Sequence, residues 1–224
     1  MKIISWNCNG AFRKKAHLLS SYNADLYIIQ ECENPDKYPF DAAFLNDYLP
    51  IWTGVYDRKG LAFFVRNIFH ASKIHLDFPP FHDYSLICID RSHFLGVWTH
   101  KPNYIEDFYD LLSKYADIIP SNTIIAGDLN SNAIWDRLHK KKCHSNVVQI
   151  LKEKGFVSVW HDIHHIEHGK ETAATHFFRR NMDNHFHIDY CFAPAKIIAD
   201  MSIGSFQEWI AYSDHMPLII TFNH

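Results

Sequence analysis

The sequence predicts an α/β domain built on two packed β-sheets. Three observations carry this. Short apolar runs with the length of core strands recur from the first residues to the last, each bounded by turn residues. Segments with helical spacing are interspersed among them instead of being gathered at one end. No composition shift, linker or internal repeat divides the chain, so residues 1–224 read as one domain.

Lys2 to Trp6 reads as a first strand and ends in the turn-rich Asn7-Cys8-Asn9-Gly10. Phe12, Ala16 and Leu19 recur at helical spacing and predict a first helix, with Arg13, Lys14 and Lys15 near its start. Three cations there oppose the helix dipole, so they are either a solvated face or a patch facing an anion. Leu26 to Glu31 is a second strand that ends in a carboxylate, and Pro35, Pro39 and Pro50 break up the segment after it. Gly60–Arg66, Leu86–Ile89 and Phe94–Trp98 read as strands. Ile105, Phe108, Leu112, Tyr115 and Ile119 step by helical intervals and predict a second helix. Thr123-Ile124-Ile125-Ala126-Gly127-Asp128-Leu129-Asn130 is a buried strand stopped by Gly, Asp and Asn. A third helix is expected around Val147–Leu151, with Gly155 as its stop. Phe156 to Trp160 reads as a strand, and the histidine-rich stretch from His161 to Lys170 as a solvated loop. His187–Phe192 is a strand carrying an Asp, and Met216–Phe222 closes the chain.

Composition narrows the function classes. Hydrophobic residues make up 47% and charged residues 21%, ordinary values for a globular protein. A formal net charge of −3 gives no global positive field, so any nucleic-acid contact must come from local basic patches. No run approaches transmembrane length. A strand beginning at Lys2 leaves no room for a signal peptide before it. Five Cys form an odd number without metal-type spacing; Cys8, Cys32, Cys88 and Cys191 read as buried free thiols of a reducing compartment. The expectation is a cytoplasmic protein that does not engage a membrane.

Five polar clusters sit at or beside strand ends: Asn7-Cys8-Asn9, Gln30-Glu31, Asp128-Leu129-Asn130, His187-Ile188-Asp189 and Ser213-Asp214-His215. Singly, each reads as an ordinary turn or strand end. Jointly they supply carboxylates, amides and an imidazole, an oxygen-rich set that suits Mg²⁺ or Mn²⁺ more than zinc. In this order the chain resembles the endonuclease/exonuclease/phosphatase superfamily, which includes exonuclease III-type AP endonucleases and DNase I-like nucleases. The matching pieces are Ile4-Ser5-Trp6-Asn7, Ile29-Gln30-Glu31, Gly127-Asp128-Leu129-Asn130, His187-Ile188-Asp189-Tyr190 and Ser213-Asp214-His215-Met216-Pro217.

The resemblance implies a four-layer α-β-β-α sandwich, with the site where strand ends of both mixed sheets converge. It implies a Mg²⁺- or Mn²⁺-dependent hydrolase of phosphoric esters. Glu31 would hold the metal, with Asn7 and Asn9 in support, and Asp214 would serve the metal or fix the loop of His215. Asp128 would position or deprotonate the attacking water, Asn130 would bond a phosphate oxygen, and His215 would touch the scissile phosphate with Asp189 holding its imidazole. Which of these groups is the general base stays open. His100 stands where the family places a Tyr or a His on the phosphate, and Asn103 would add a phosphate contact. In the DNase I branch a Glu pairs with that His; here the matching position falls near Lys59.

The basic stretches Arg13-Lys14-Lys15, Arg137 to Lys142 (with Lys140 and Lys141), and Arg179-Arg180 each flank a site motif. Together they suggest a track for a phosphate backbone. Phe186 and Ile188 match loosely the residues that enclose an abasic sugar in AP endonucleases, and His176 stands where an aromatic is expected. The expected partner is nucleic acid, DNA ahead of RNA, with a monomer as the default. A phosphatase or phosphodiesterase for a small phosphorylated molecule or lipid headgroup is the second reading. A non-catalytic binding module is the third.

Overall fold

The apolar runs form the strands of two six-stranded sheets. In chain order the strands are β1 (Lys2–Asn7), β2 (Leu26–Cys32), β3 (Tyr48–Tyr56), β4 (Lys59–Arg66), β5 (Ala71–Ile74), β6 (Tyr84–Ile89), β7 (Ser92–Trp98) and β8 (Thr123–Asp128). They continue with β9 (Phe156–Ser158), β10 (His176–Phe177), β11 (His185–Phe186), β12 (Asp189–Pro194), β13 (Ile198–Ile203) and β14 (Leu218–Phe222). The helices are α1 (Ala42–Asp47), α2 (Ile105–Tyr115), α3 (Asp136–His139), α4 (His144–Glu153), α5 (Val159–His164) and α6 (Phe206–Trp209). The computed structural model describes residues 1–74 and 84–223. The first sheet has the order β13-β14-β1-β2-β4-β3 and the second β5-β6-β7-β8-β12-β9, while β10 and β11 form a separate hairpin. Both sheets are mixed: β1–β2 and β7–β8 run parallel among antiparallel neighbours.

The two sheets pack face to face. Ile3, Ile28, Phe63 and Leu218 of the first sheet share one core with Ile87, Phe94, Ala126 and Cys191 of the second. The outer faces are covered as well. Ile4, Trp6, Tyr27 and Phe64 pack against Phe12, Leu19, Phe44 and Trp209. Leu95, Val97, Ile125 and Phe192 pack against Phe108 and Leu112 of α2 and Val147 and Leu151 of α4. Burial on both faces explains why the central strands read as nearly unbroken apolar runs instead of alternating ones. The result is a four-layer α-β-β-α sandwich.

Several elements differ from the sequence expectation. The expected first helix is two 3₁₀ turns, Phe12–Lys14 and Ala16–Tyr22. Ala11 enters at φ 53° with no side-chain cap, and Lys15 breaks the run at φ −118°, so a longer α-helix has no capped start. Phe12, Ala16 and Leu19 still face the core. The strand expected over Phe156 to Trp160 stops at Ser158, where α5 begins. The stretch from His161, expected as a solvated loop, therefore opens inside a helix, and His161 is buried. Val159 and Ile163 pack against the inter-sheet core one helical turn apart, an apolar stripe hidden among histidines. β3 runs through Pro50; it is an edge strand, where a missing N–H breaks no central ladder. Cys143 is buried with Cys8, Cys32 and Cys191, whereas Cys88 is only partly covered, and all five are free thiols.

Candidate active site

Strand ends bring the site together. Asn7 ends β1 and Asp128 ends β8, one on each sheet. Asn7 Nδ2 donates to Asp128 Oδ2 at 2.9 Å, which ties the two sheets at this end of the sandwich. Asp189 begins β12 directly opposite Asp128 in the antiparallel register. Gly127 makes the close approach possible: a Cβ there would lie 1.8 Å from the Val97 carbonyl oxygen of β7. Asp128 and Asp189 are buried, and so is His215.

A hydrogen-bonded pair occupies the centre. His215 Nδ1 lies 2.9 Å from Asp189 Oδ2 and 3.1 Å from Oδ1, and His215 Nε2 lies 3.9 Å from Asp128 Oδ2. Thr175 holds the carboxylate strand in place, because its Oγ1 accepts from the amides of both Ile188 and Asp189. Ser213 Oγ donates to the Asn7 carbonyl at 2.7 Å and accepts from the His215 amide at 3.0 Å, so it anchors the closing loop on β1. Burial would favour a neutral imidazole at His215, but Asp189 and Asp128 outweigh it and push the pKa up to about 10. The two carboxylates thus favour the charged imidazole at His215. Burial pushes the Asp128 carboxyl up to about 7, with Asp189 adding to the rise and His215, Asn7 and the Asn130 amide opposing it. Asn130, at φ 42°, folds its amide back on Asp128: its backbone N–H donates to Oδ1 at 2.8 Å and Nδ2 to Oδ2 at 2.9 Å.

Glu31 sits at the rim of this centre. A bulge in β2, between the Ile29 and Cys32 pairings with β4, sets Glu31 at φ 58° and turns it out of the regular pleat. Asn7 Nδ2 lies 3.5 Å from its Oε1, and the Lys59 ammonium pairs with Oε2. A partly exposed carboxylate that already attracts a cation is a donor of the kind Mg²⁺ or Mn²⁺ accepts when it keeps several waters, whereas Asn7 turns its NH2 toward Glu31 and its Oδ1 takes the Asn9 amide at 3.1 Å, so that oxygen would have to be shared with a metal. Asn9 and Asp214, expected to support a metal, hydrogen-bond each other at 3.0 Å, and Asp214 Oδ2 also lies 3.7 Å from His176 Nε2. Burial opposes the charge on Asp214, but His176 and His215 hold its carboxyl down to about 2.

Not every expected residue gathers here. Arg13 Nη1 binds Glu33 Oε1 at 2.7 Å, and the guanidinium lies over Tyr38, so its charge is already matched within the fold. Glu33 also takes the Phe12 and Arg13 amides. Lys15 clasps the carbonyls of Cys8, Gly10 and Tyr212, a structural role. Asn103 Nδ2 donates to Asp107 Oδ1 in the first turn of α2. His100 is exposed and lines one hollow with Lys59 and Trp98, so the lysine does stand across from the histidine. Lys14, Lys140, Lys141, Arg179 and Arg180 are exposed. Lys142 is paired with Asp110. Phe186 is half-buried between Trp135 and His176, with ring centroids at 5.0 and 6.4 Å, and His176 continues the row to His215 at 4.5 Å. Sequence reasoning misses Thr175 and Trp135, and it names Ser213 in a motif without giving it a role: a buried Thr carries no spacing signal, and Trp135 lies outside every motif.

Residues 4–215 match the model of the Endonuclease/Exonuclease/phosphatase family. The chain belongs to this family. Its members are hydrolases of phosphoric esters. No curated protein matches the chain in sequence. Among solved structures, the chain is similar to the 3′ phosphatase NExo from Neisseria bound to a product DNA hairpin, with 19% identity, full coverage of both chains and a TM-score of 0.75. It is equally similar to an AP endonuclease from Archaeoglobus fulgidus, at 20% identity, full coverage of both chains and a TM-score of 0.75. A third, TDP2 of D. rerio complexed with single-strand DNA product, is 17% identical over 100% of this chain and 99% of that one, with a TM-score of 0.65. These likenesses establish the DNase I-like fold.

Proposed function

We propose that this chain is a Mg²⁺- or Mn²⁺-dependent phosphodiesterase that hydrolyses nucleic-acid backbones, DNA before RNA. The observation that carries the reading is the buried Asp189–His215–Asp128 arrangement beside Glu31 and Asn7. It combines a fixed cation, a carboxylate titrating near neutrality and a rim that attracts positive charge. Glu31 and Asn7 would hold the metal, which when bound would offset the charge that builds on the phosphate. His215, kept cationic by Asp189, donates to a phosphate oxygen and stabilises the transition state. A protonated imidazole cannot take a proton, so Asp128 is the general base for the attacking water. Asn7 and Asn130 hold that carboxylate in one orientation.

Nucleic acid is favoured over a small phosphoester by the surroundings of the centre. The aromatic row Trp135–Phe186–His176 offers stacking faces beside the catalytic pair. Exposed Lys14, Lys140, Lys141, Arg179 and Arg180 offer cations for a phosphate track. Two of the similar structures, NExo and TDP2, hold DNA products. The test is a substrate panel of single-stranded, duplex and abasic DNA, RNA and simple phosphomonoesters. The proposal expects hydrolysis of at least one DNA with steep salt dependence. Turnover of phosphomonoesters alone, insensitive to salt, would instead support a small-molecule phosphatase.

A further inference from the structure

A second cluster lies on the other side of Tyr190. His161 on α5, His168 and Glu171 in the turn after it, His187 just ahead of β12, and His144 at the start of α4 surround one carboxylate. The ligand-capable atoms of His161, His168 and Glu171 all lie within 4.8 Å of one another. His161 Nε2 is 2.9 Å from Glu171 Oε1, and His187 sets its ring edge-on to His161 with centroids 5.6 Å apart.

The hydrogen bonds around the rim fix which nitrogens are left for a ligand. His187 Nδ1 lies 2.9 Å from the Ala173 carbonyl, which can only accept, so Nδ1 carries the proton and Nε2 carries the lone pair. That Nε2 is buried and has no hydrogen-bond partner among the described residues. His161 Nδ1 lies 2.7 Å from Ser158 Oγ, which leaves Nε2 as its inward atom. His187, with one ring nitrogen on a hydrogen-bonding partner and the other free, has the arrangement of a metal-bound imidazole, whereas His161 Nε2 is held by Glu171 and would have to give its proton up to a metal. Glu171 accepts from His161 Nε2 at 2.9 Å, the Gly169 amide at 3.0 Å and Asn132 Nδ2 at 3.2 Å, which fixes the carboxylate in the cluster.

We propose that His161, His168 and Glu171, whose ligand atoms already converge, form a structural zinc site with the unpartnered Nε2 of His187 drawn in as the fourth ligand, separate from the active centre, that braces the start of β12. Three imidazoles and one carboxylate suit tetrahedral Zn²⁺ far better than Mg²⁺. His168 stacks parallel on His161 at 3.6 Å, so coordination requires its ring to turn; it sits in a turn and is only half-buried, which leaves room for that. His144, 3.0 Å from His168 Nδ1 through its Nε2, is the outer partner. The site would grip both arms of the catalytic centre. His187 is two residues before Asp189. Asn132, two residues after Asn130, donates to both Glu171 Oε2 and the His187 carbonyl.

The test uses the untagged full chain, dialysed against chelator and titrated with Zn²⁺ and with Co²⁺ as a visible probe. The proposal expects one Zn²⁺ per chain, a rise in Tm on binding, and the intense visible bands of tetrahedral Co²⁺. Ser158→Ala should weaken binding by about tenfold, the lower end of the loss when a supporting partner of a ligand is removed. His168→Asn and Glu171→Gln should abolish the Co²⁺ bands. Glu31→Gln, which alters the proposed magnesium site, should leave them unchanged. Absence of tetrahedral bands in the wild type overturns the proposal without reference to any variant. So does binding that survives in a folded His168→Asn or vanishes in Glu31→Gln. None of these readouts depends on nuclease activity.

Discussion

Replacing Asp189 by Asn tests the catalytic pair directly. The carboxylate lies 2.9 Å from His215 Nδ1, both groups are buried, and Thr175 fixes the strand that carries it. Asn keeps the shape but removes the charge, and its amide can favour the wrong imidazole tautomer. Removing one partner of a buried pair costs about 3–5 kcal/mol of stability, although a neutralised His215 escapes part of that loss. For turnover, kcat should fall by about 10²–10⁴-fold, the range of a positioned acid–base group. His215→Ala should fall by a similar factor. The double variant should be little worse than either, because the two act as a unit. The assay is single-turnover cleavage of labelled DNA at saturating Mg²⁺, with circular dichroism and denaturant melts to verify folding. Fully multiplicative losses in folded variants would refute the pairing, as would an Asp189→Asn enzyme that keeps wild-type kcat.

The His215 pKa is raised from 6.5 to about 10, so its contribution to stability is complete below about pH 6.5 and lost as pH rises through about 10. Activity should fall along the same alkaline limb, and that limb should move to lower pH in Asp189→Asn; a pH–rate profile with an unmoved limb assigns it to another group. Lys140→Ala with Lys141→Ala should raise KM for DNA and flatten its salt dependence while sparing a chromogenic phosphodiester, and equal losses on both substrates would remove these lysines from the track. Phe186→Ala should cost about 1–3 kcal/mol in DNA binding if a base or sugar stacks there; unchanged affinity in fluorescence anisotropy would make the ring a packing residue for Trp135.

The sandwich is legible in the sequence because its strands are buried on both faces, which writes long apolar runs such as Leu26–Ile29 and Thr123–Ala126 into the chain. Turn residues at the strand ends then mark where polar clusters can gather. The features hidden from sequence reading have physical reasons. α5 alternates histidines with its apolar stripe, so His161 reads as solvated although it is buried against Glu171. The Phe12–Tyr22 segment has a helical pattern of apolar residues but no cap to start a helix. Arg13 carries a charge that reads as available for phosphate, while Glu33, which neutralises it, lies twenty residues away. Long-range partners of this kind, like Thr175 under Asp189, leave no local trace in spacing or composition.

Glu31 and Asn7 form the proposed metal position on which the proposed phosphodiester hydrolysis would depend. The most direct measurement is cleavage of an end-labelled DNA substrate by wild type and Glu31→Gln across a Mg²⁺ titration, with EDTA as the zero point. The expected result is cleavage by the wild type that EDTA abolishes, and a Glu31→Gln enzyme that is inactive at low Mg²⁺ though folded. Cleavage by Glu31→Gln at the wild-type rate and the same Mg²⁺ midpoint, or wild-type cleavage undiminished by EDTA, would contradict that metal position.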